Sequence, residues 1–169
     1  KYWDSKQNKA VKGLEVSCCS LIDPYWGQAF GLHMRSTRVS ETANRMKQYA
    51  DHLDDVLGCL TPDLCQRISH VAADGYYSKQ GFIEAVRQQD KHLVGKLRQD
   101  ANLKYLFTGP QSTGPGRPRL YDGKINFQDW SHWEEVEIQP QGTVQEEQSV
   151  NVYTIIAYAP NFKTKLRIV

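Results

Sequence analysis

Hydrophobic and polar positions along this 169-residue chain change their period several times. Between Gly13 and Thr37, two apolar, β-branched runs, GLEVSCCSLI and QAFGLHMRS, flank Asp23-Pro24-Tyr25-Trp26-Gly27. Turn residues between two such runs predict an antiparallel hairpin. The polar stretch upstream, KYWDSKQNKA, predicts a loop. Beyond the hairpin the period becomes helical. Ala43, Met46, Ala50, Leu53, Val56, Leu57 and Leu60 recur at steps of three and four, which defines one apolar helix face. Ser40 is the expected N-cap. Arg45, Lys47, Asp51, Asp54 and Asp55 fall mostly on the solvated side. Thr61-Pro62-Asp63 then interrupts the helix, because Pro lacks the amide donor and disfavours helix before it. A short further turn is expected up to Gln66.

Ile68 to Ala73 is a short, non-alternating apolar run, the pattern of a strand buried on both faces. His70 inside it reads as a satisfied core histidine. Ser78 is expected to cap a helix with Phe82, Ile83 and Val86 inward. HLVGKLR, residues 92–98, is the next strand. A strand-helix-strand unit of this length is a βαβ crossover with parallel strands. Together with the hairpin it predicts a mixed sheet in an α/β fold. Residues 109–119, GPQSTGPGRPR, contain six Gly or Pro and predict a linker. INFQDWSHWEEVEI, VNVYTIIAYAP and FKTKLRIV read as β-strands, with QPQGTVQEEQS as a polar connection. The expected organisation is an α/β core over 1–108, a linker over 109–119 and a β-rich region over 120–169.

A net charge of +2 excludes a uniformly basic nucleic-acid binder, so any such role needs local charge placement. No apolar run approaches the roughly 20 residues that span a bilayer. The polar opening has no signal-peptide core, and the missing initiator Met suggests a processed or excised segment. Cys18, Cys19, Cys59 and Cys65 show no metal-ligand spacing. They read as reduced, mostly buried thiols of a cytoplasmic protein.

Asp74 carries the clearest chemistry. It ends the apolar run 68–73, and a carboxylate at the C-terminal end of a strand is where α/β folds place reactive groups. Downstream, residues 87–119 hold seven Lys or Arg against two Asp. Among these, Lys96 and Arg98 follow the second strand, and Arg117 and Arg119 lie in the Gly/Pro stretch. These four are the candidate phosphate contacts, of the kind that position DNA without reading its sequence. Trp130 and Trp133 read as packing residues rather than base-stacking platforms. His33 and His132 have no partner identifiable from sequence.

The ordered set KGLEVSCCSLID, AADGYYSKQGFIEAV, LVGKLRQDANLKYLF and GPGRPRLYDGKINF resembles the central part of bacterial insertion-sequence transposases of the DDE type. The resemblance implies an RNase H-like mixed sheet with helices, incomplete here, plus a β-rich insertion. It implies three carboxylates holding two divalent ions, Mg²⁺ or Mn²⁺, for cutting and joining transposon ends. Partners implied for the full-length protein are DNA, as transposon ends and target, and a second copy in a homodimer. Asp74 matches the second carboxylate and is the one metal ligand carried over. The first would precede the KGLEVS hairpin, and the third, a Glu, would follow Val169. Asp23 is the runner-up for the first, although Asp-Pro in a hairpin is a turn element. Asp4 is misplaced for it, and Glu134, Glu135 and Glu137 read as solvated strand positions. With one ligand of three, tight metal binding and activity of the segment alone are not expected. Two alternatives stand beside this reading. One is a degenerate transposase-derived module that only binds DNA or protein. The other is an unrelated phosphate-handling α/β enzyme with Asp74 as its acid, for which no Gly-rich phosphate loop, HExxH or Ser-His-Asp set is present.

Overall fold

The polar N-terminus, expected as a loop, forms a small hairpin in the computed structural model: β1 (Tyr2–Asp4) pairs antiparallel with β2 (Lys9–Val11). The described residues are 2–4, 6–37, 44–98, 100–138 and 149–169. Polar side chains make this turn. The Asp4 carboxylate accepts from the amides of Lys6 and Gln7 at 2.9 and 3.2 Å, and Asn8 takes the left-handed conformation at φ 48° that Asn tolerates. The contacts divide the chain into two compact units, Lys1–Lys96 and Leu97–Val169.

In the first unit the predicted hairpin forms as β3 (Val16–Asp23) and β4 (Gln28–Ser36). A bulge after Cys19 shifts the register and leaves Leu32 without a cross-strand partner. The helical period resolves into α1 (Arg45–Cys59), capped by the Asn44 side chain, which accepts from the Lys47 amide. Ser40 and Ala43 lie outside the described residues. Next, α2 (Pro62–Arg67) starts with Thr61 as N-cap and Pro62 in its first turn, where the missing amide costs nothing.

The crossover follows as predicted. β5 (His70–Ala73) and β6 (His92–Gly95) are parallel and in register, His70 opposite His92 and Ala73 opposite Gly95. They are joined by a 3₁₀ turn, Gly75–Tyr77, and by α3 (Gln80–Gln88). Ser78 is not the cap of α3. It ends the 3₁₀ turn, and Lys79 occupies the N-cap position without a side-chain hydrogen bond. Nor is β5 buried on both faces. Val71 and Ala73 pack against the core, whereas His70 and Ala72 are exposed. His70 is therefore a surface residue, bonded to the Ser69 hydroxyl at 2.8 Å and ring to ring with His92. Helices cover one face of β5, and its one strand neighbour among the described residues is β6.

Tyr49, Ala50, Leu53, Leu57, Phe82 and Val86 form the core where α1 meets α3. His52 of α1 is fully buried toward the β3–β4 hairpin. Its Nδ1 lies 2.7 Å from the Ser17 hydroxyl, and its Nε2 lies 2.9 Å from His33 Nδ1. Burial, then the nearby Arg35 guanidinium and His33, hold its pKa below 6.5, with Asp55 opposing. The unfolded chain therefore binds a proton at His52 more readily than the folded one. Stability should fall as pH drops below about 6.5 and be fully present above it. Urea midpoints measured between about pH 7 and 5 should decline for the parent and decline less for His52→Gln. Parallel declines would assign the effect to other groups.

The second unit is antiparallel β. Its strands are β7 (Lys104–Leu106), β8 (Tyr121–Lys124), β9 (Glu134–Ile138), β10 (Val150–Ala159) and β11 (Thr164–Ile168). The sheet order is β11-β10-β7-β8, and β9 pairs with the first half of β10. The strand expected from Ile125 begins only at Glu134, because turns closed by Asn126 and Asp129 side chains intervene. Glu134, Glu135 and Glu137 are exposed on β9, as expected. Residues 139–148 of the polar connection lie outside the described residues. Leu103, Ile125, Ala157 and Ala159 are the core, with Trp133 packed against it. Trp130 is half exposed and packs tilted against Trp133 and edge to face against Tyr153.

Mixed α/β content in several small sheets and three helices is compatible with an incomplete RNase H-like fold. The hairpin β3–β4 and the pair β5–β6 remain separate two-stranded ribbons among the described residues. The four cysteines are free, but they are less buried than expected. Cys18 and Cys59 are exposed, since one faces away from α1 and the other lies on the solvent side of that helix. No helix among the described residues is long and apolar enough to cross a membrane.

Candidate functional site

Two parallel strands ending side by side build the site. β5 delivers Asp74 and β6 delivers Lys96 at neighbouring exits, one step past the Ala73–Gly95 pair. The backbones come close there. A Cβ on Gly75 would lie 2.8 Å from the Lys96 carbonyl oxygen, a distance no side chain tolerates without backbone movement. One on Gly95 would lie 3.3 Å from the Ala73 carbonyl. Glycine at 75 therefore lets the two strand exits approach this closely straight after the carboxylate.

Asp74 is the N-cap of the 3₁₀ turn. One of its carboxylate oxygens accepts from the Tyr76 amide at 2.7 Å, and its carbonyl accepts from the Tyr77 amide at 3.1 Å. The side chain is exposed at the sheet's end. Behind it, Tyr77 packs ring to ring against Tyr49 and Phe82. Burial raises the Tyr77 pKa, and the Asp74 and Glu15 carboxylates push it further. Glu15 was not singled out by the sequence pattern. It sits just before β3, 3.6 Å from Arg45, and one of its oxygens is buried without a hydrogen bond. No motif marks it; only the fold brings it toward Tyr77.

Asp23, the runner-up carboxylate, ends β3 and caps the hairpin turn. It accepts from the Tyr25 and Trp26 amides at 2.9 and 3.1 Å, and Gly27 completes the turn at φ 61°. Asp4 does the same for the first hairpin. Among the described residues, no three His, Cys, Asp or Glu side chains converge to hold a metal ion. Asp74 alone would leave nearly the whole coordination sphere to water, so these residues by themselves do not fit a two-ion centre.

The four candidate cations divide between the units. Lys96 is exposed in the first. Arg98, Arg117 and Arg119 belong to the second and are exposed too. Arg98 pairs with Asp100 at 3.0 Å. Arg119 pairs with Asp122 and lies 4.8 Å over the Phe107 ring, and Gln111 pins its backbone with two hydrogen bonds. Two of the four charges are thus partly compensated.

The sequence matches the family model of the DDE superfamily endonucleases over residues 15–154. No curated protein and no solved structure matches the chain. The matched span runs from the hairpin through the Asp74 crossover and into β10, so it takes in the α/β unit and most of the β-rich one. With the greater part of its length inside that match, the chain belongs to the DDE superfamily endonucleases.

Proposed function

We propose that this chain is the central part of a DNA transposase catalytic domain, in which Asp74 is one of the metal-binding carboxylates. Family membership implies DNA as the substrate of a transposase-like nuclease. The observation that carries the finer reading is the placement of Asp74. It is an exposed carboxylate at the C-terminal end of a parallel strand, followed by a glycine that lets the neighbouring strand's exit approach closely. Lys96, Arg98, Arg117 and Arg119 serve as phosphate contacts. In the longer protein, a homodimer acting in the bacterial cytoplasm, Mg²⁺ or Mn²⁺ is held by Asp74 with two carboxylates from outside these 169 residues.

The segment by itself is inactive on this reading, because one carboxylate cannot fix two ions about 3.5–4 Å apart. The 169-residue chain should give no nicking of supercoiled plasmid above background with either cation. Robust nicking removed by both Asp74→Asn and Asp23→Asn would show instead that Asp23 is the first carboxylate. A longer polypeptide carrying the flanking sequence that binds DNA but never cuts it would favour the degenerate binding module.

A further inference from the structure

We infer that the outward face of the β-rich unit is a DNA-backbone binding surface, formed by Lys104, Lys124, Lys165 and Arg167 around the stacked pair Tyr121–Tyr158. The inference rests on the DNA-acting reading above but concerns residues outside its four candidate contacts.

Register puts these side chains together. Residues directly opposite each other in a sheet share a face. Lys124 pairs with Lys104, Lys104 with Tyr158, and Tyr158 with Lys165, so one row crosses all four strands from β8 to β11. Arg167 stands opposite Ile156, two residues along from Tyr158 and on the same face. The other face of this sheet is the core, where Ala157, Ala159, Leu166 and Ile168 pack. Tyr121 stacks on Tyr158 with ring centroids 5.6 Å apart and planes 13° from parallel, and Lys104 Nζ sits 3.9 Å from the Tyr121 centroid. The two rings lie among the cations, and Lys104 rests its ammonium on the Tyr121 ring.

The charges on this face are mostly positive, with Arg167 donating to the Thr154 hydroxyl at 3.4 Å. Among the described residues, no carboxylate forms an ion pair with any of the four cations. Glu134 stands opposite Thr154 on this same face, farther along β10, whereas Glu135 and Glu137 stand opposite Tyr153 and Asn151 on the other face. Like charges placed directly opposite each other destabilise a sheet. The Lys104–Lys124 pair is such a juxtaposition, eased in part by the Tyr121 ring under Lys104, and an anion across it would relieve the remainder. A row of cations crossing four strands fits an extended polyanion, whose charges repeat along its length. In a family that acts on DNA, the duplex backbone is that polyanion.

The test is fluorescence anisotropy of the 169-residue chain with a labelled random-sequence duplex of about 20 base pairs, titrated between roughly 50 and 200 mM salt. Four phosphate contacts contribute about −3.6 to the slope of log affinity against log salt, or roughly a hundredfold over that range. The variant Lys104→Gln, Lys124→Gln, Lys165→Gln, Arg167→Gln should lose most of that slope while melting no lower than the parent. Lys104→Arg, Lys124→Arg and Lys165→Arg together should retain binding. A Gln variant that keeps the parent's affinity and slope overturns the inference, as does a parent that fails to bind at the lowest salt. So does loss confined to the Lys96, Arg98, Arg117, Arg119 set when that set is replaced by Ala. The endonuclease reading fails separately. If the longer protein still cuts as Asp74→Asn, the site assignment is wrong while the binding face stands.

Discussion

Asp74→Asn, made in a longer polypeptide that cuts DNA, is expected to lower metal-dependent cleavage by at least about 10³-fold, since divalent-ion charge stabilisation supplies several kcal/mol. The substitution separates charge from structure. One Asp74 oxygen accepts from the Tyr76 amide and starts the 3₁₀ turn. Asn offers the same carbonyl acceptor and ranks with Asp as a cap, so the turn should persist. What disappears is the anionic oxygen that a hard divalent ion prefers. DNA affinity should hold or rise, because a negative charge facing phosphate is gone. The measurement is the initial rate of cleavage alongside a binding isotherm for the same variant. Cleavage at the parent's rate would remove Asp74 from the metal site.

The strand-end position of Asp74 is legible in the sequence because three signals coincide there: an apolar run stops, a Gly follows, and a helical period begins. The hairpin, α1, the Pro62 break and the parallel β5–β6 crossover were legible for the same reason, since period and turn chemistry agree in each. What escaped lies where side chains act across the chain. His33 looked partnerless because its partner, His52, is 19 residues away on another element. His52 itself falls at helical spacing between Tyr49 and Val56, but a polar residue at such a position carries no hydrophobic signal of its own. His70 failed in the opposite sense. A short apolar run resembles a strand covered on both sides, and nothing local reports that helices cover only one face of β5. The N-terminal hairpin was missed because Asp4 and Asn8 build its turn from polar residues that read as loop. The lysine row on the β-rich unit could not be read at all. Lys104, Lys124 and Lys165 are 20 and 41 residues apart in sequence and meet only through strand register.

Phe82→Ala should destabilise the first unit by about 3–5 kcal/mol, a large share of the 5–15 kcal/mol that holds a typical domain folded. Phe82 is 4% exposed, at the third residue of α3, with Val86 one turn on at 0%. Its ring lies against Tyr77 and inside the cluster of Tyr49, Leu53 and Leu57, with Val71 of β5 and Leu93 of β6 packed onto the same group. Truncation removes the ring's transfer free energy and leaves a cavity that two helices and two strands cannot close together. Because α1, α2 and α3 all belong to the first unit, far-UV circular dichroism during urea unfolding reports on that unit specifically. Partly exposed Ile83, the next residue on the same helix, should cost distinctly less as Ile83→Ala, which controls for helix propensity. A loss below about 1 kcal/mol for Phe82→Ala would mean that the α1–α3 contact is not the core of this unit. The consequence reaches the site, since α3 joins the strand carrying Asp74 to the strand carrying Lys96. Loosening its anchor should raise protease sensitivity between residues 74 and 96 before it affects the β-rich unit.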